Sequence, residues 1–314
     1  MAGNDRPTKT QRREEARRKA AALRDKQERE ARRNKIVGIG LLVVAVLVIG
    51  YGIFALVKRQ VDIRANEEKY ATAALPSVAP DLAAVDAPGG ADPDLGGIPV
   101  SQQGVGVAVE GGVRVDVYLD FMCPFCGIFE QLQSDEAKAL VDPQTGQADV
   151  TIVYHPVAIM GRASLGTNYS ARAANAVAVV ADQDPEHFIA FLVALMDEKT
   201  QPEEGTRGLT DEKIAQVAQG VGVPTAVTDR FTATADFEGE TLRTFVPWVA
   251  AVTATIPFNE DGQQSTPTIL INGERWSDWV ARDPSGDYII GEPLSQAVEA
   301  ARAAAASEPA GGEG

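Results

Sequence analysis

The sequence predicts an α/β fold with an inserted helical subdomain, preceded by a single transmembrane helix. Three observations support this prediction: a 22-residue uncharged segment near the N-terminus, strand and helix patterns that alternate beyond residue 104, and a mostly helical pattern over 163–260. The 314 residues are 45% apolar and 23% charged, which is an ordinary globular balance. This composition excludes a wholly disordered chain.

The net charge of -15 combines unlike parts of the chain. Residues 1–35 hold 13 basic and six acidic residues, a net charge of +7, whereas residues 60–314 hold 14 basic and 38 acidic residues, a net charge of -24. In the N-terminal part the basic residues alternate with acidic ones at helical spacing. We therefore interpret residues 1–35 as a charged cytoplasmic tail that contacts acidic membrane lipid, and expect no nucleic-acid partner.

The apolar segment Ile36–Val57 is long enough to cross a membrane. As a helix its 22 residues would be about 33 Å long, and a hydrocarbon core is about 30 Å thick. Basic residues are concentrated before it, which favours a cytoplasmic N-terminus and an extracytoplasmic chain from about residue 60. A cleavable signal peptide has a shorter apolar region, and Lys58 and Arg59 follow this one directly, so we expect an uncleaved anchor in the cell membrane.

The chain beyond the span divides by composition into three parts. Residues 58–103 are rich in Pro, Gly and Ala, which predicts an extended extracytoplasmic linker. Residues 104–302 are predicted to form the folded domain, with the helical insertion at about 163–260. Residues 303–314 are small and acidic, which predicts a disordered tail.

Apolar periodicity and turn residues predict the elements of the folded domain. Two alternating segments separated by Glu110-Gly111-Gly112 predict a β-hairpin over 104–119. Pro247 predicts a kink or a restart within the helical block. The other predicted elements are a helix that begins at Pro124, strands over 148–154 and 268–271, a turn at Asn272-Gly273, and a last helix over 292–305.

Both cysteines of the chain lie in the motif Cys123-Pro124-Phe125-Cys126 at the start of a predicted helix. A helix N-terminus offers free N–H groups and the positive end of the helix dipole, which stabilise a thiolate on Cys123. A thiol of low pKa is a good leaving group, so a disulfide between Cys123 and Cys126 would be readily reduced. Cys126, one turn further along, would act as the resolving thiol.

Three other interpretations of the cysteine pair stay open. A structural disulfide is one, although it would close so short a loop that little chain entropy is gained. A zinc site would need His155 and His187, whose spacing from Cys126 is unlike that of common zinc sites. Unpaired structural thiols are the third. We expect redox chemistry without a metal or a cofactor, because a Cys-x-x-Cys pair near a βαβ-like pattern is a redox signature.

Two segments, Tyr118–Cys126 and Ser265–Gly273, support a resemblance to a known family. With the helical insertion, they make residues 104–302 similar to the DsbA-like branch of the thioredoxin-fold thiol-disulfide oxidoreductases, which are membrane-anchored or secreted bacterial enzymes. The resemblance implies a thioredoxin-like fold in which Pro267 is a cis proline beside the cysteine pair. It also implies that Thr266 contacts bound substrate. An ordinary trans proline that opens an edge strand is the alternative for Pro267.

The polar residues near the motif depart in part from the family pattern. Thioredoxin-like enzymes often bury an acid six positions before the first cysteine, where this chain has Val117. Asp120, three positions before that cysteine, matches an Asp found in many members of the branch, and proton handling and a turn at the helix start are equal alternatives for it. We expect His155 to be a structural hydrogen-bonding residue and assign no role to His187.

Together these features predict a membrane-tethered, extracytoplasmic dithiol oxidase that introduces disulfides into reduced secreted proteins. Disulfides persist outside the cytoplasm, which favours this direction of the reaction. The resemblance implies a quinone-linked membrane protein as the partner that reoxidises the cysteine pair. A disulfide reductase or isomerase of the same fold, and a non-catalytic peptide-binding or holdase module, are the alternatives.

Overall fold

A computed structural model describes residues 9–307, and the chain divides into two units after Asp62. The described part of the first unit belongs entirely to α1, a helix of 61 residues at Lys9–Lys69 with no buried residue. Within residues 9–307, α1 is the single helix that is both long and apolar enough to cross a membrane. Its exposed apolar side chains are those expected of a segment that contacts lipid.

The second unit begins at Ile63 and contains the described strands and the remaining α-helices. The strands are β1 (Ile98–Ser101), β2 (Gly104–Val105), β3 (Val113–Asp120), β4 (Val150–Val157), β5 (Thr234–Phe237), β6 (Glu240–Arg243), β7 (Thr268–Ile271), β8 (Glu274–Arg275), β9 (Val280–Arg282) and β10 (Tyr288–Ile290). The helices are α2 (Pro124–Val141), α3 (Tyr169–Gln183), α4 (Phe188–Met196), α5 (Asp211–Gly220), α6 (Thr225–Thr228), α7 (Val246–Ala254) and α8 (Leu294–Ser307).

The centre of the second unit is a six-stranded sheet in the order β2-β1-β4-β3-β7-β8. β3 and β4 are parallel, and the other neighbouring strands of this sheet are antiparallel. All residues of β4 and all but Arg114 of β3 are buried, as expected of central strands covered on both faces. Because β3 leads directly into α2, the cysteine motif lies at the carboxyl end of a buried strand.

The predicted helical insertion lies between β4 and β7. Its central helix is α3, in which every residue from Tyr169 to Ala181 is buried. The carboxylate of Asp211 pairs with the guanidinium groups of Arg172 and Arg243 at 3.0 and 2.7 Å, which joins α3, α5 and β6. The insertion also contains the β5–β6 hairpin, which the periodicity did not predict. Pro247 lies in the first turn of α7, so a helix begins there, directly after β6, instead of kinking.

The hairpin predicted over 104–119 is wrong. β2 has two residues and pairs with β1, whereas β3 pairs with β4 and β7. Gly112, directly before β3, serves a close backbone approach instead of a hairpin turn. A Cβ atom at Gly112 would lie 1.9 Å from the carbonyl oxygen of Asp149, and the Val113 N–H donates to that same oxygen at 2.8 Å. Alternation in the sequence could not reveal which strand is the partner.

The predicted domain boundary at residue 104 is also corrected, because much of the predicted linker over 58–103 packs on the domain. α1 continues to Lys69, and the following residue, Tyr70, is buried beneath the guanidinium of Arg172, which lies 4.2 Å from its ring centre. β1 lies within the predicted linker and is buried throughout. Pro and Gly in this segment therefore mark turns on the surface of the domain as well as extended chain.

The predicted disordered tail over 303–314 begins as helix. α8 extends to Ser307, so its last turns occupy the first residues of that tail. The rest of the predicted tail, 308–314, lies outside the described residues.

Candidate active site

The cysteine motif lies at the junction of β3 and α2, as predicted. Cys123 is the N-cap of α2, and Pro124 occupies the first turn, where a missing N–H loses no helical hydrogen bond. The carbonyl oxygen of Cys123 accepts the N–H of Cys126 at 3.0 Å, which closes this turn. The positive end of the helix dipole therefore lies at the Cys123 side chain.

The two sulfurs differ in accessibility and in charge. Cys123 is 6% exposed, whereas Cys126 is fully buried. The side chain of Cys126 hydrogen-bonds to the sulfur of Cys123, and this contact and other hydrogen bonds lower the pKa of Cys123 to about 7, against the effect of burial. A large fraction of Cys123 is therefore thiolate at neutral pH.

Burial acts in the opposite direction on the second cysteine. It raises the pKa of Cys126 well above its ordinary value, and the neighbouring Cys123 sulfur raises this pKa further. The backbone N–H of Asp120 donates to the Cys126 sulfur at 3.4 Å. In this geometry a substrate sulfur would react with Cys123, whereas Cys126 would react only with the Cys123 sulfur.

The Thr266–Pro267 peptide bond is cis, in agreement with the resemblance. It directly precedes β7, and the carbonyl oxygen of Thr266 accepts a hydrogen bond from the Cys123 thiol at 3.2 Å. The structure thus brings Thr266 and Pro267 to the cysteine pair from the far end of the helical insertion.

Asp120 is fully buried at the end of β3, next to the cysteine motif. Its carboxylate accepts the N–H of Met122 at 2.8 Å, the N–H of Met160 at 2.8 Å and the hydroxyl of Ser170 at 2.7 Å. The bond to Met122 shapes the turn between β3 and α2, which is the structural alternative stated for this residue. Burial raises the pKa of Asp120 to about 6, so proton handling stays a proposal with a physical basis.

Glu130 is a buried acid near the cysteine pair, and the sequence analysis did not identify it as a candidate residue. It follows Cys126 by one helical turn, on the same face of α2. Within residues 9–307, neither of its carboxylate oxygens has a hydrogen-bond partner, and burial raises its pKa to about 7. A sequence signal was present, because Cys126, Glu130, Gln133, Ala137 and Leu140 follow the i, i+4, i+7 spacing of one helical face.

The β9–β10 hairpin beside the motif was not predicted either. Tyr288 of β10 contacts Phe125 edge to face, with 5.7 Å between the ring centres, and Phe125 remains 44% exposed. Arg282 is the cross-strand partner of Tyr288 and lies 4.0 Å from the centre of its ring. Strands of three residues give too little alternation to be recognised in a sequence.

The histidines belong to other parts of the structure. His155 is buried, its Nε2 lies 2.9 Å from Oδ1 of Asp116, and its ring stacks on Tyr118. Its expected structural role is thus confirmed. Nδ1 of His187 lies 2.9 Å from a carboxylate oxygen of Asp184, which precedes it by three residues. Among the hydrogen bonds of the described residues, none joins either histidine to the cysteine motif.

Comparison with known sequences gives one family match and one group of relatives. The sequence model of the family described as Thioredoxin matches residues 109–284, more than half of the chain. The serine/threonine-protein kinase PknE from Mycobacterium tuberculosis is 35% identical over 117 residues, which cover 36% of this chain and 20% of PknE. The chain thus spans about a fifth of the length of the curated relatives that it matches.

Similar solved structures include reduced DsbA from Mycobacterium tuberculosis, at 28% identity and a TM-score of 0.45, with coverage of 58% of this chain and 84% of that one. The reduced disulfide bond oxidoreductase DsbG from the same organism is 28% identical with a TM-score of 0.44, covering 64% and 90%. Oxidised BdbD from Bacillus subtilis is 19% identical with a TM-score of 0.42, covering 61% and 89%.

Proposed function

This chain belongs to the thioredoxin family, and on that premise we propose that it is a membrane-tethered, extracytoplasmic dithiol oxidase. Its substrates are reduced secreted proteins, and Cys123 and Cys126 perform the reaction. The observation that carries the proposal is the unequal pair of sulfurs at the start of α2. Cys123 is the accessible sulfur and a stabilised thiolate, whereas Cys126 is sealed from solvent and holds its proton.

The reaction starts from the disulfide form of the pair. A substrate thiolate attacks the Cys123 sulfur, the Cys123–Cys126 bond breaks, and the released Cys126 thiolate takes up a proton. A second substrate thiolate then attacks the substrate sulfur of the mixed disulfide, which forms the substrate disulfide and releases Cys123 as thiolate. Two electrons pass from substrate to protein. The stabilisation of the Cys123 thiolate favours this last release.

The residues around the pair have distinct proposed roles. The backbone of Thr266 lies beside the Cys123 sulfur, where an extended substrate segment next to the attacking cysteine could hydrogen-bond to it, and Pro267 shapes that surface. Phe125 offers an exposed ring to substrate. Asp120, with a pKa of about 6 and its N–H on the Cys126 sulfur, is placed to influence the proton that Cys126 takes up.

The proposed location follows from charge and length. The apolar part of α1 is the membrane anchor, and the basic residues before it favour a cytoplasmic N-terminus. The second unit is then extracytoplasmic, where reduced secreted proteins fold. A quinone-linked membrane protein would reoxidise the dithiol, and tethering holds the pair near such a partner.

One observation favours a second candidate, a reductase or isomerase of the same fold. A pKa of about 7 for Cys123 is close to that of thioredoxin, about 7, and above that of DsbA, about 3.5. When the Cys123 thiolate is stabilised less, the disulfide is a weaker oxidant. The direction of the reaction is therefore decided by the reduction potential of the pair.

The test is a redox titration of the full chain in detergent, combined with an oxidation assay. We expect oxidised protein to convert a reduced, unfolded secreted protein to its disulfide form, and the Cys123→Ser variant to lack this activity. Mixed instead with the disulfide form of the substrate, the Cys126→Ser variant should accumulate a mixed disulfide, because Cys123 attacks the substrate disulfide and no resolving thiol in the protein releases it. A reduction potential near the thioredoxin value of about -270 mV would reject the oxidase and select the reductase. Unchanged cellular function of Cys123→Ser would instead select the non-catalytic binding module.

A further inference from the structure

Gln201 connects the helical insertion to the cysteine motif. It lies in the segment between α4 and α5, where its N–H donates to the carbonyl oxygen of Asp197 at 2.8 Å. Its side-chain Nε2 donates to the carbonyl oxygen of Cys123 at 2.9 Å. The same nitrogen lies 3.5 Å from the sulfur of Met196. A residue 78 positions beyond Cys123 thus hydrogen-bonds to the backbone of the attacked cysteine.

Gly127 provides the space for this contact. It is buried in the first turns of α2, and a Cβ atom there would lie 2.1 Å from Oε1 and 3.0 Å from Cδ of Gln201. Glycine within a helix is less favourable than alanine, because it loses more backbone freedom on folding. Helix propensity alone would thus select alanine at this position. The amide group of Gln201 occupies the space that a Cβ atom at position 127 would need, which explains the glycine.

We propose that Gln201 is a positioning residue of the cysteine pair and that Gly127 keeps the space it needs. The carbonyl oxygen of Cys123 accepts three N–H groups, from Cys126 at 3.0 Å, Gly127 at 3.3 Å and Gln201 at 2.9 Å. The third bond comes from outside α2 and fixes the orientation of this peptide group. The first turn then presents Cys126 to the Cys123 sulfur.

This inference rests on the proposed redox function and adds a residue that influences the stability of the Cys123 thiolate at the same site. The segment after α4 belongs to the helical insertion, so the insertion influences the stability of the thiolate through one side chain. When Gln201 is lost, the first turn gains freedom, the contacts that stabilise the Cys123 thiolate weaken, and the disulfide becomes a weaker oxidant.

The experiment compares Gln201→Ala, Gln201→Glu and Gly127→Ala in the full chain. Glutamate has nearly the shape of glutamine but, when ionised, cannot donate to the Cys123 carbonyl. Gln201→Ala removes the same hydrogen bond without adding a negative charge, so a rise of the Cys123 pKa in both variants is assigned to the lost hydrogen bond. The readouts are the pH midpoint of thiolate absorbance and the equilibrium constant with oxidised and reduced glutathione. We expect each variant to raise the pKa of Cys123 and to shift the glutathione equilibrium toward the protein disulfide by about threefold, as for loss of one hydrogen bond.

The matched control is Gln102→Ala. Gln102 also donates a side-chain N–H to a backbone carbonyl, that of Gly146 at 3.2 Å, but it lies in the β1–β2 turn. It should change neither readout. Thermal unfolding of each variant separates a local effect from a loss of fold, and Gln201→Glu still tests the hydrogen bond if Gly127→Ala fails to fold.

The double variant decides whether Gly127 and Gln201 act together. We expect Gly127→Ala to add nothing to Gln201→Ala, because the side chain it displaces is already absent. Additive shifts would overturn the role of Gly127, and unchanged readouts in both Gln201 variants would overturn the role of Gln201. Neither readout uses a protein substrate, so the inference can fail while the oxidase assay succeeds, and the reverse.

Discussion

At the scale of single residues, the chemistry depends on how differently the two sulfurs of one helical turn are surrounded. Cys123 receives hydrogen bonds and the positive end of a helix, whereas Cys126 lies among apolar groups. Asp120 acts on both, because its N–H contacts the Cys126 sulfur and its carboxylate raises the pKa of Cys123. The charge of Asp120 therefore limits how stable the thiolate becomes.

Replacement of Asp120 by Asn tests this limit. Asparagine keeps an oxygen for the Met122 N–H but removes the negative charge, so the pKa of Cys123 should fall below its value of about 7. The measurement is the pH dependence of iodoacetamide alkylation, which reports Cys123 because Cys126 is buried. The control is Asp142→Asn at the far end of α2. A midpoint that stays in place or moves to higher pH would contradict the expectation.

Glu130 gives the protein a predictable pH dependence of stability. Burial raises its pKa from 4.5 to about 7, so the native protein holds this proton more tightly than the unfolded chain does. Between these two pH values the native state binds more protons. The contribution of Glu130 to the free energy of unfolding therefore falls as the pH rises through this range, and is constant above it.

The Glu130→Gln variant should remove this dependence. At pH 8 we expect it to be more stable than the unmodified chain by about 3 kcal/mol, and at pH 4 to be nearly equal, because Glu130 is then mostly neutral in both states. Urea denaturation of the reduced protein at both pH values measures the difference. Glu136→Gln, the same change on the same helix, is the control. Equal stabilities at pH 8 would show that the buried carboxyl finds a partner.

At the scale of elements, the two junctions around the motif explain where the reactive sulfur lies. β3 ends in the turn held by Asp120, and β7 begins directly after the cis peptide bond at Pro267. These strands are neighbours in the sheet, with Val117 opposite Ile269. Their adjacent ends therefore bring Cys123 to the carbonyl of Thr266.

The β9–β10 hairpin places the aromatic ring of Tyr288 against Phe125 of the cysteine motif. Tyr288→Ala should remove the ring that supports Phe125 and raise the KM for reduced protein substrates about threefold, while the glutathione equilibrium stays unchanged because no hydrogen bond of Cys123 is lost. Ile289→Ala is the control, since adjacent residues of a strand point to opposite faces. A changed glutathione equilibrium in Tyr288→Ala would instead assign the hairpin an effect on the sulfur itself.

At the scale of the whole molecule, the chain combines an apolar helix with an acidic folded unit. The +7 charge of residues 1–35 and the -24 charge of residues 60–314 lie on opposite sides of the apolar segment in the sequence. Positive charge is retained on the cytoplasmic side of membranes, so this asymmetry predicts one orientation.

A reporter fusion tests that orientation. An enzyme that is active only outside the cytoplasm, fused after Gly314, should be active in cells. Reversal of the charge bias, by Arg-to-Glu changes before Ile36 and added Lys after Arg59, should reduce its activity. An inactive reporter on the unmodified chain, together with activity of a cytoplasmic reporter at the same point, would contradict the proposed orientation.

Features set by neighbouring residues were predictable from the sequence. The apolar span needs only length and composition, the cysteine motif at the start of α2 needs only the pattern that follows it, and the turn at Asn272-Gly273 needs only two residues that accept positive φ. The existence of the helical insertion followed from periodicity. The cis proline came from the resemblance of the segment around it to a known family.

The tertiary structure alone decided which distant groups meet. Alternation showed that β3 is a strand but not that β4 and β7 are its partners, so the hairpin and the boundary at residue 104 were predicted wrongly. The contacts of Tyr288 and Gln201 with the motif depend on how separate segments pack, and the burial of Glu130 depends on what covers one face of α2. Sequence periodicity shows which face of a helix or strand is buried, but it does not show which other element covers that face. That is determined only by the tertiary packing.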